Sequence, residues 1–130
     1  MKLIKRIIII IAIIIALVII GITALYFTSK KSLAAYQNFD FASLDLSQVD
    51  DGTYTGLENG GIVEASVEVI VKDHTITKVT ILSHKCGKGK PAEVITDDIV
   101  AANSLEVDTI SGATFSSDVI RKAVYNALTK

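Results

Sequence analysis

The sequence holds one cysteine, Cys86, and two histidines in 130 residues. A single thiol excludes an intramolecular disulfide framework and a CxxC zinc site. Two histidines without an HExxH spacing remove the common zinc-hydrolase pattern, and no metal-ligand set emerges. There is no GxSxG elbow, so Ser111, His84 and Asp108 do not add up to a serine hydrolase, and no catalytic constellation takes their place. Gly87-Lys88-Gly89-Lys90 lacks the spacing and the Lys-Ser/Thr ending of a phosphate-binding P-loop. Positive charge is also scarce. From residue 28 onward ten Lys/Arg face fourteen Asp/Glu, a net charge of −4. No basic cluster is available to meet nucleic acid. No internal repeat is present. The longest absence is charge itself, missing from every position between Ile7 and Phe27.

That uncharged run accounts for the mean hydropathy of +0.49. Its 21 residues measure roughly 31 Å as a helix, enough to cross a hydrocarbon core. Lys2, Lys5 and Arg6 precede it, and Lys30 and Lys31 follow. The basic excess predicts an N-terminus inside and a C-terminal domain outside the cell membrane. A cleaved signal peptide has a shorter apolar region ending in small residues. This run ends in Ala24-Leu25-Tyr26-Phe27, with aromatic residues suited to a membrane interface, and so predicts an uncleaved single-pass anchor.

Four segments follow from composition: a cytoplasmic N-terminus at 1–6, the anchor at 7–27, a tether at 28–50 and a domain at 51–130. The tether has no sustained period, and Tyr36, Phe39, Phe41 and Leu44 are scattered through it. The domain opens at the turn signal Asp51-Gly52 and reaches a second at Asn59-Gly60-Gly61. Alternation from Ile62 places Ala65, Val67, Val69 and Val71 on one face. Asp73-His74 predicts a tight turn, and Thr75 to Ser83 alternates again. These runs read as an antiparallel hairpin, joined by residues 53–57 into a meander. Pro91 suits the first turn of a helix in which Val94, Ile95, Ile99 and Val100 recur, ending near Asn103. Val107–Ile110 reads as a short extended piece. Ser116 or Ser117 is placed to cap a last helix, with Asp118 in its first turn and Arg121, Lys122 and Lys130 towards its end. Val119, Ile120, Ala123, Val124, Ala127 and Leu128 form its apolar stripe. The fold class is therefore α+β: a small antiparallel sheet with two helices packed on one face, preceded by one transmembrane helix.

The most informative string is Asp108-Thr109-Ile110-Ser111-Gly112-Ala113-Thr114. It reads as a strand end, a tight turn and a helix N-terminus. Gly112 permits positive φ, and Ala113 leaves room for a bulky neighbour. Free amides at a helix N-terminus attract an anion, a phosphate above all. Ordinary capping by Thr and Ser explains the same residues, so the residues alone leave both readings open.

Asp108-x-x-Ser111-Gly112-Ala113-Thr114 resembles the flavinylation motif of the FMN-binding domain family, which includes the C subunit of the sodium-translocating NADH:quinone reductase and the G subunit of the Rnf complex. Asp51-Gly52-Thr53-Tyr54-Thr55-Gly56, the Val/Ile hairpin, Ile81-Leu82-Ser83-His84, Asn103-Ser104 and the Ser116–Leu128 helix extend the similarity over most of 51–130. The resemblance implies FMN joined covalently to Thr114 through a phosphoester. It implies a separate Mg-dependent flavin transferase that takes FMN from FAD and recognises Asp108, Ser111, Gly112 and Ala113. The loop bearing Gly87 and Gly89 then covers the isoalloxazine ring or remains a solvated loop. Lys85, Lys88 and Lys90 are placed to offset flavin charge, and His84 is a further cofactor-binding candidate. Cys86 reads as a free thiol or a redox residue. The function so implied is that of an anchored electron carrier between a membrane redox donor and an extracytoplasmic acceptor, not a complete enzyme. A non-redox, membrane-tethered ligand- or protein-binding module is the alternative.

Overall fold

The computed structural model describes residues 1–130, the side chain of Ser29 excepted. The chain divides into two compact units, Met1–Ser32 and Leu33–Lys130. Helix α1 spans Lys2–Gln37. It is long and apolar enough to cross a membrane. Its large apolar side chains between Ile7 and Phe27 are exposed, Ile15 by 53 % and Phe27 by 70 %.

In the second unit three strands form an antiparallel meander in the order β1-β2-β3: β1 Gly52–Asn59, β2 Glu64–Lys72 and β3 Thr75–Lys85. Asp73 and His74 join β2 to β3 with φ of 51° and 56°. That is the two-residue turn whose twist matches a hairpin. The expected alternation holds: Ala65, Val67, Val69 and Val71 are buried, while their β2 neighbours Ser66, Glu68 and Ile70 are half-buried on the other face. Each buried Val contributes about 1.5–3 kcal/mol. Register shifts at Ser66/Val67 and Ile70/Val71 let β3 bulge, which leaves Leu82 exposed.

Helices α2 (Ile95–Ala102) and α3 (Thr114–Leu128) complete the α+β fold. Pro91 lies in a 3-10 turn, Lys90–Val94, that leads into α2. Ile95 and Ile99 are buried, but Val94 precedes the α-helical turn and is exposed. Asn103 ends α2 in the left-handed conformation, and its amide returns to the carbonyls of Ile99 and Val100. Its Oδ1 also accepts a hydrogen bond from the Ile76 amide of β3, at 2.8 Å. The predicted stripe of α3 is buried throughout. Gly56 permits that packing: a Cβ there would lie 2.0 Å from the Ala123 carbonyl oxygen.

Three expectations are corrected. Val107–Ile110 forms no strand; residues 105–109 make no backbone–backbone hydrogen bond among the described residues, and side chains of α3 hold the segment instead. Neither Ser116 nor Ser117 caps α3. The helix begins at Thr114, and Ser117 already donates its amide to Ala113 oxygen. Asp118 and Arg121 are not terminal charges, since they pair inside the helix at 2.5 Å.

Residues 33–50, placed in the tether by composition, pack on the domain. Tyr36, Phe41 and Val49 are buried. Asp40 and Asp45 accept amide hydrogen bonds from Ala42 and Ser47, each 3.0 Å, and so cap two 3-10 turns. The bonds from Ser47 hold the Asp45 carboxyl below its ordinary range. His74 at the hairpin tip lies 2.9 Å from the Val49 carbonyl oxygen.

Candidate functional site at the head of helix α3

The turn before α3 is closed by a hydrogen bond from the Ala113 amide to Ile110 oxygen, 2.9 Å. Its third residue, Gly112, has φ of 78°. That conformation excludes most side chains, which is why glycine stands there. Open space lies where a Gly112 side chain would begin, so the backbone is free to be approached. Ala113 does not leave the room expected of it. It is buried at 6 % exposure and belongs to the core.

Thr114 is the first residue of α3 and is exposed. No side chain caps the helix among the described residues. Its first intrahelical amide bond is that of Ser117, so the amides of Thr114, Phe115 and Ser116 precede the ladder. These amides and the helix dipole make the position suited to an anion, beside an exposed hydroxyl.

The glycine loop meets the same helix turn. Gly89 packs against Ser116 so closely that a Cβ would sit 1.9 Å from Ser116 Oγ. The Gly89 amide closes a turn on Cys86 oxygen at 2.7 Å. Gly87 has φ of 51° with open space beyond it. His84 lies at the base of this loop, opposite Ala65 on the buried face of the sheet. Its side chain is 1 % exposed, and Nδ1 lies 3.1 Å from Glu93 Oε1. A carboxylate only accepts, so Nδ1 donates in this pair. Nε2 is buried without a partner. An orphaned polar atom of this kind calls for an explanation.

The structure thus brings the loop of Gly87 and Gly89 onto the helix turn that begins at Thr114. Ser111 and Gly112 are exposed just before it. Asp108 is exposed too and lines an open depression of about 520 Å³ with Asp98, Glu106 and Val107. Its carboxylate and its acidic neighbours do not favour a second anion there.

Residue-by-residue reading missed the side chains that hold this region. The Arg121 guanidinium donates to the carbonyls of Leu105 and Val107, at 3.2 and 3.1 Å, and to Asp118. Ser117 Oγ accepts from the Ile110 amide at 3.0 Å and donates to Ala113 oxygen at 2.8 Å. Phe115 stacks on Tyr36, with ring centroids 5.6 Å apart. Tyr36 donates its hydroxyl to Glu58 at 2.5 Å. Burial, and then the neighbouring Glu58 carboxylate, raise the Tyr36 phenol above its ordinary range. The i,i+3 spacing of Asp118 and Arg121 was the one available signal.

No curated protein gave a significant match to the chain. The sequence profile of the FMN-binding domain family matches residues 59–129, more than half of the chain. The match begins at the last residue of β1 and takes in the hairpin, the glycine loop, α2, the motif turn and all of α3. The residues present fit the cofactor on their own terms. An uncapped first turn accommodates a phosphate, Gly87 and Gly112 leave open backbone, and three exposed lysines, Lys85, Lys88 and Lys90, lie in or beside the loop. Sequence profile and site chemistry agree, and the chain belongs to the FMN-binding domain family.

Proposed function

We propose that this protein is a membrane-anchored flavoprotein that carries FMN covalently on Thr114 and passes electrons between a membrane donor and an acceptor outside the cell membrane. The observation that carries this reading is the exposed Thr114 at the uncapped head of α3, in the helix turn whose Ser116 meets Gly89 of the glycine loop.

The attachment balances as a transfer from FAD. Thr114 Oγ1 bonds to the phosphorus of the FMN half, the pyrophosphate P–O bond breaks, AMP leaves, and the hydroxyl proton is released. Nothing beside Thr114 in the described hydrogen bonds serves as its base, which supports a separate Mg-dependent transferase. Asp108, Ser111 and Gly112 are exposed for such an enzyme to grip. Ala113 is buried and acts on the turn's shape. The amides of Thr114, Phe115 and Ser116 would hold the phosphate, Lys85, Lys88 and Lys90 would offset negative charge, Gly87 would let the loop approach the ring, and Gly89 seats the loop on Ser116. His84 presents its unpartnered Nε2 from the buried side. Bound flavin supplies one- and two-electron chemistry; the protein orients it and sets its potential.

Helix α1 keeps the carrier at the membrane, with Lys2, Lys5 and Arg6 on the inner side. Covalent attachment suits an outer compartment where free FMN would diffuse away. The test is co-production of the full chain with an FMN transferase. A yellow protein whose flavin survives denaturation, with a mass increased by FMN less one water, is the expected result. A colourless chain under those conditions contradicts the reading.

A further inference from the structure

The segment between α2 and the motif turn is held in an unusual way. Among the described residues, 105–109 make no backbone–backbone hydrogen bond. One end of this stretch is held by Arg121, whose Nη1 bonds the carbonyls of Leu105 and Val107. At the other end the Ile110 amide bonds Ser117 Oγ. Both side chains come from α3, the helix that Thr114 begins. Arg121 is itself fixed on three sides. Its Nη2 meets Asp118, which is 1 % exposed; its guanidinium lies 4.1 Å over the Phe41 ring; and its side chain is 13 % exposed.

A planar fork meets two carbonyls and a carboxylate with donors fixed in direction, whereas an ammonium must serve all three from one point on a flexible stem. The arrangement ties the approach to the motif to the same rigid helix that carries the acceptor hydroxyl. An enzyme that modifies Thr114 must bind the exposed chain around it, and a chain already in shape loses less entropy on binding. We propose that Arg121 is a positioning residue for flavin attachment: by clamping Leu105 and Val107 it holds Asp108–Ala113 in the shape the flavin transferase binds. This rests on the reading that Thr114 accepts FMN.

The test compares the full chain in detergent micelles with its Arg121→Lys variant, using purified transferase, FAD and Mg²⁺. Covalent flavin is followed by in-gel fluorescence, and amide hydrogen exchange is measured on the unmodified proteins. Arg121→Lys is expected to react with a kcat/KM about ten- to a hundredfold lower, carried mainly by KM for the acceptor protein. Its final flavin content on Thr114 should equal that of the unaltered chain. The two hydrogen-bonded amides of the stretch, Glu106 to Ser104 Oγ and Ile110 to Ser117 Oγ, should exchange faster, while those of β2 and of the middle of α3 keep their protection. Wild-type kinetics in the variant would overturn the proposal, whether or not exchange rises. Loss of protection throughout the domain would also overturn it, by making Arg121 a residue of general stability. If the unaltered chain itself accepts no flavin, the attachment reading fails and the proposal falls with it, a result distinct from a slow variant.

Discussion

The β2–β3 hairpin and the stretch from Asn103 to Ala113 lie in the same small domain and are built by opposite means. The hairpin has a full ladder, a two-residue turn and four buried side chains in strict alternation along β2. The stretch before α3 has no ladder and depends on Asn103, Arg121 and Ser117. The first arrangement is carried by backbone and hydrophobic burial, so it tolerates little change and has no groups to spare. The second leaves Asp108, Ser111, Gly112 and Thr114 exposed and holds them from behind. A rigid scaffold thus supports a loop whose own backbone groups remain open to a partner.

The comparison breaks most completely at Val67, which is fully buried at the centre of β2. Val67→Asp puts an uncompensated carboxylate into an apolar core, which costs more than the ~5 kcal/mol that holds a marginal domain together. The expected outcome is loss of the cooperative melting transition in circular dichroism. A clear transition near that of the unaltered protein would show that the hairpin is not the scaffold.

Arg121→Ala comes next, because it leaves buried Asp118 unpaired, at a cost of about 3–5 kcal/mol spread over a domain that still folds. The double change Asp118→Leu with Arg121→Met removes both charges and should restore most of the melting temperature. Exchange of the Glu106 and Ile110 amides should stay fast in the double variant. That would separate the ion pair's effect on stability from the clamp's effect on the loop; slow exchange there would remove Arg121 from the account.

The two regions also differ in how far they were legible. The alternation of Ala65, Val67, Val69 and Val71 names one sheet face, because strand side chains repeat every two residues. The stripe of α3 is legible for the same reason at its own period, and Asn103 is a recognisable helix end. The motif turn was located by Gly112 and the small residues around it. What stayed hidden depends on partners distant in sequence. Gly56 and Gly89 are glycines because α3 passes over them, and nothing local says so. Val107–Ile110 has strand-like composition, yet its carbonyl and amide groups are claimed by Arg121 and Ser117. Tyr36, Phe41 and Val49 lie in aperiodic sequence and are buried by contacts with the domain that no pattern announces.

A smaller effect is expected at the junction between the regions. Asn103→Ala removes the acceptor for the Ile76 amide and strains the left-handed helix end, and should cost about 1–3 kcal/mol by denaturant unfolding. Asn103→Gly keeps the backbone conformation and loses only the side-chain bond, so it should cost less. Equal losses in the two variants would mean that the bond to β3, and not the helix end, carries the effect.

The smallest effect is one of pH. The Tyr36 phenol is raised in the folded state, by burial first and by Glu58 second. Its stabilising contribution is therefore complete below the unfolded value of about 10 and is lost as pH rises above it. Melting temperatures across that range should fall less steeply in Tyr36→Phe than in the unaltered chain. Parallel curves would show that folding does not raise the Tyr36 phenol.

The central claim is that Thr114 bears the flavin, and a peptide map tests it most directly. Full-length protein made with the transferase is denatured, digested and analysed by mass spectrometry, beside Thr114→Val. The account predicts FMN on the peptide containing Thr114, fragmentation that places it on that residue, and no covalent flavin in a Thr114→Val protein that melts within a few degrees of the unaltered one. Flavin retained by Thr114→Val, mapped to Ser111, Ser116 or Ser117, would contradict it.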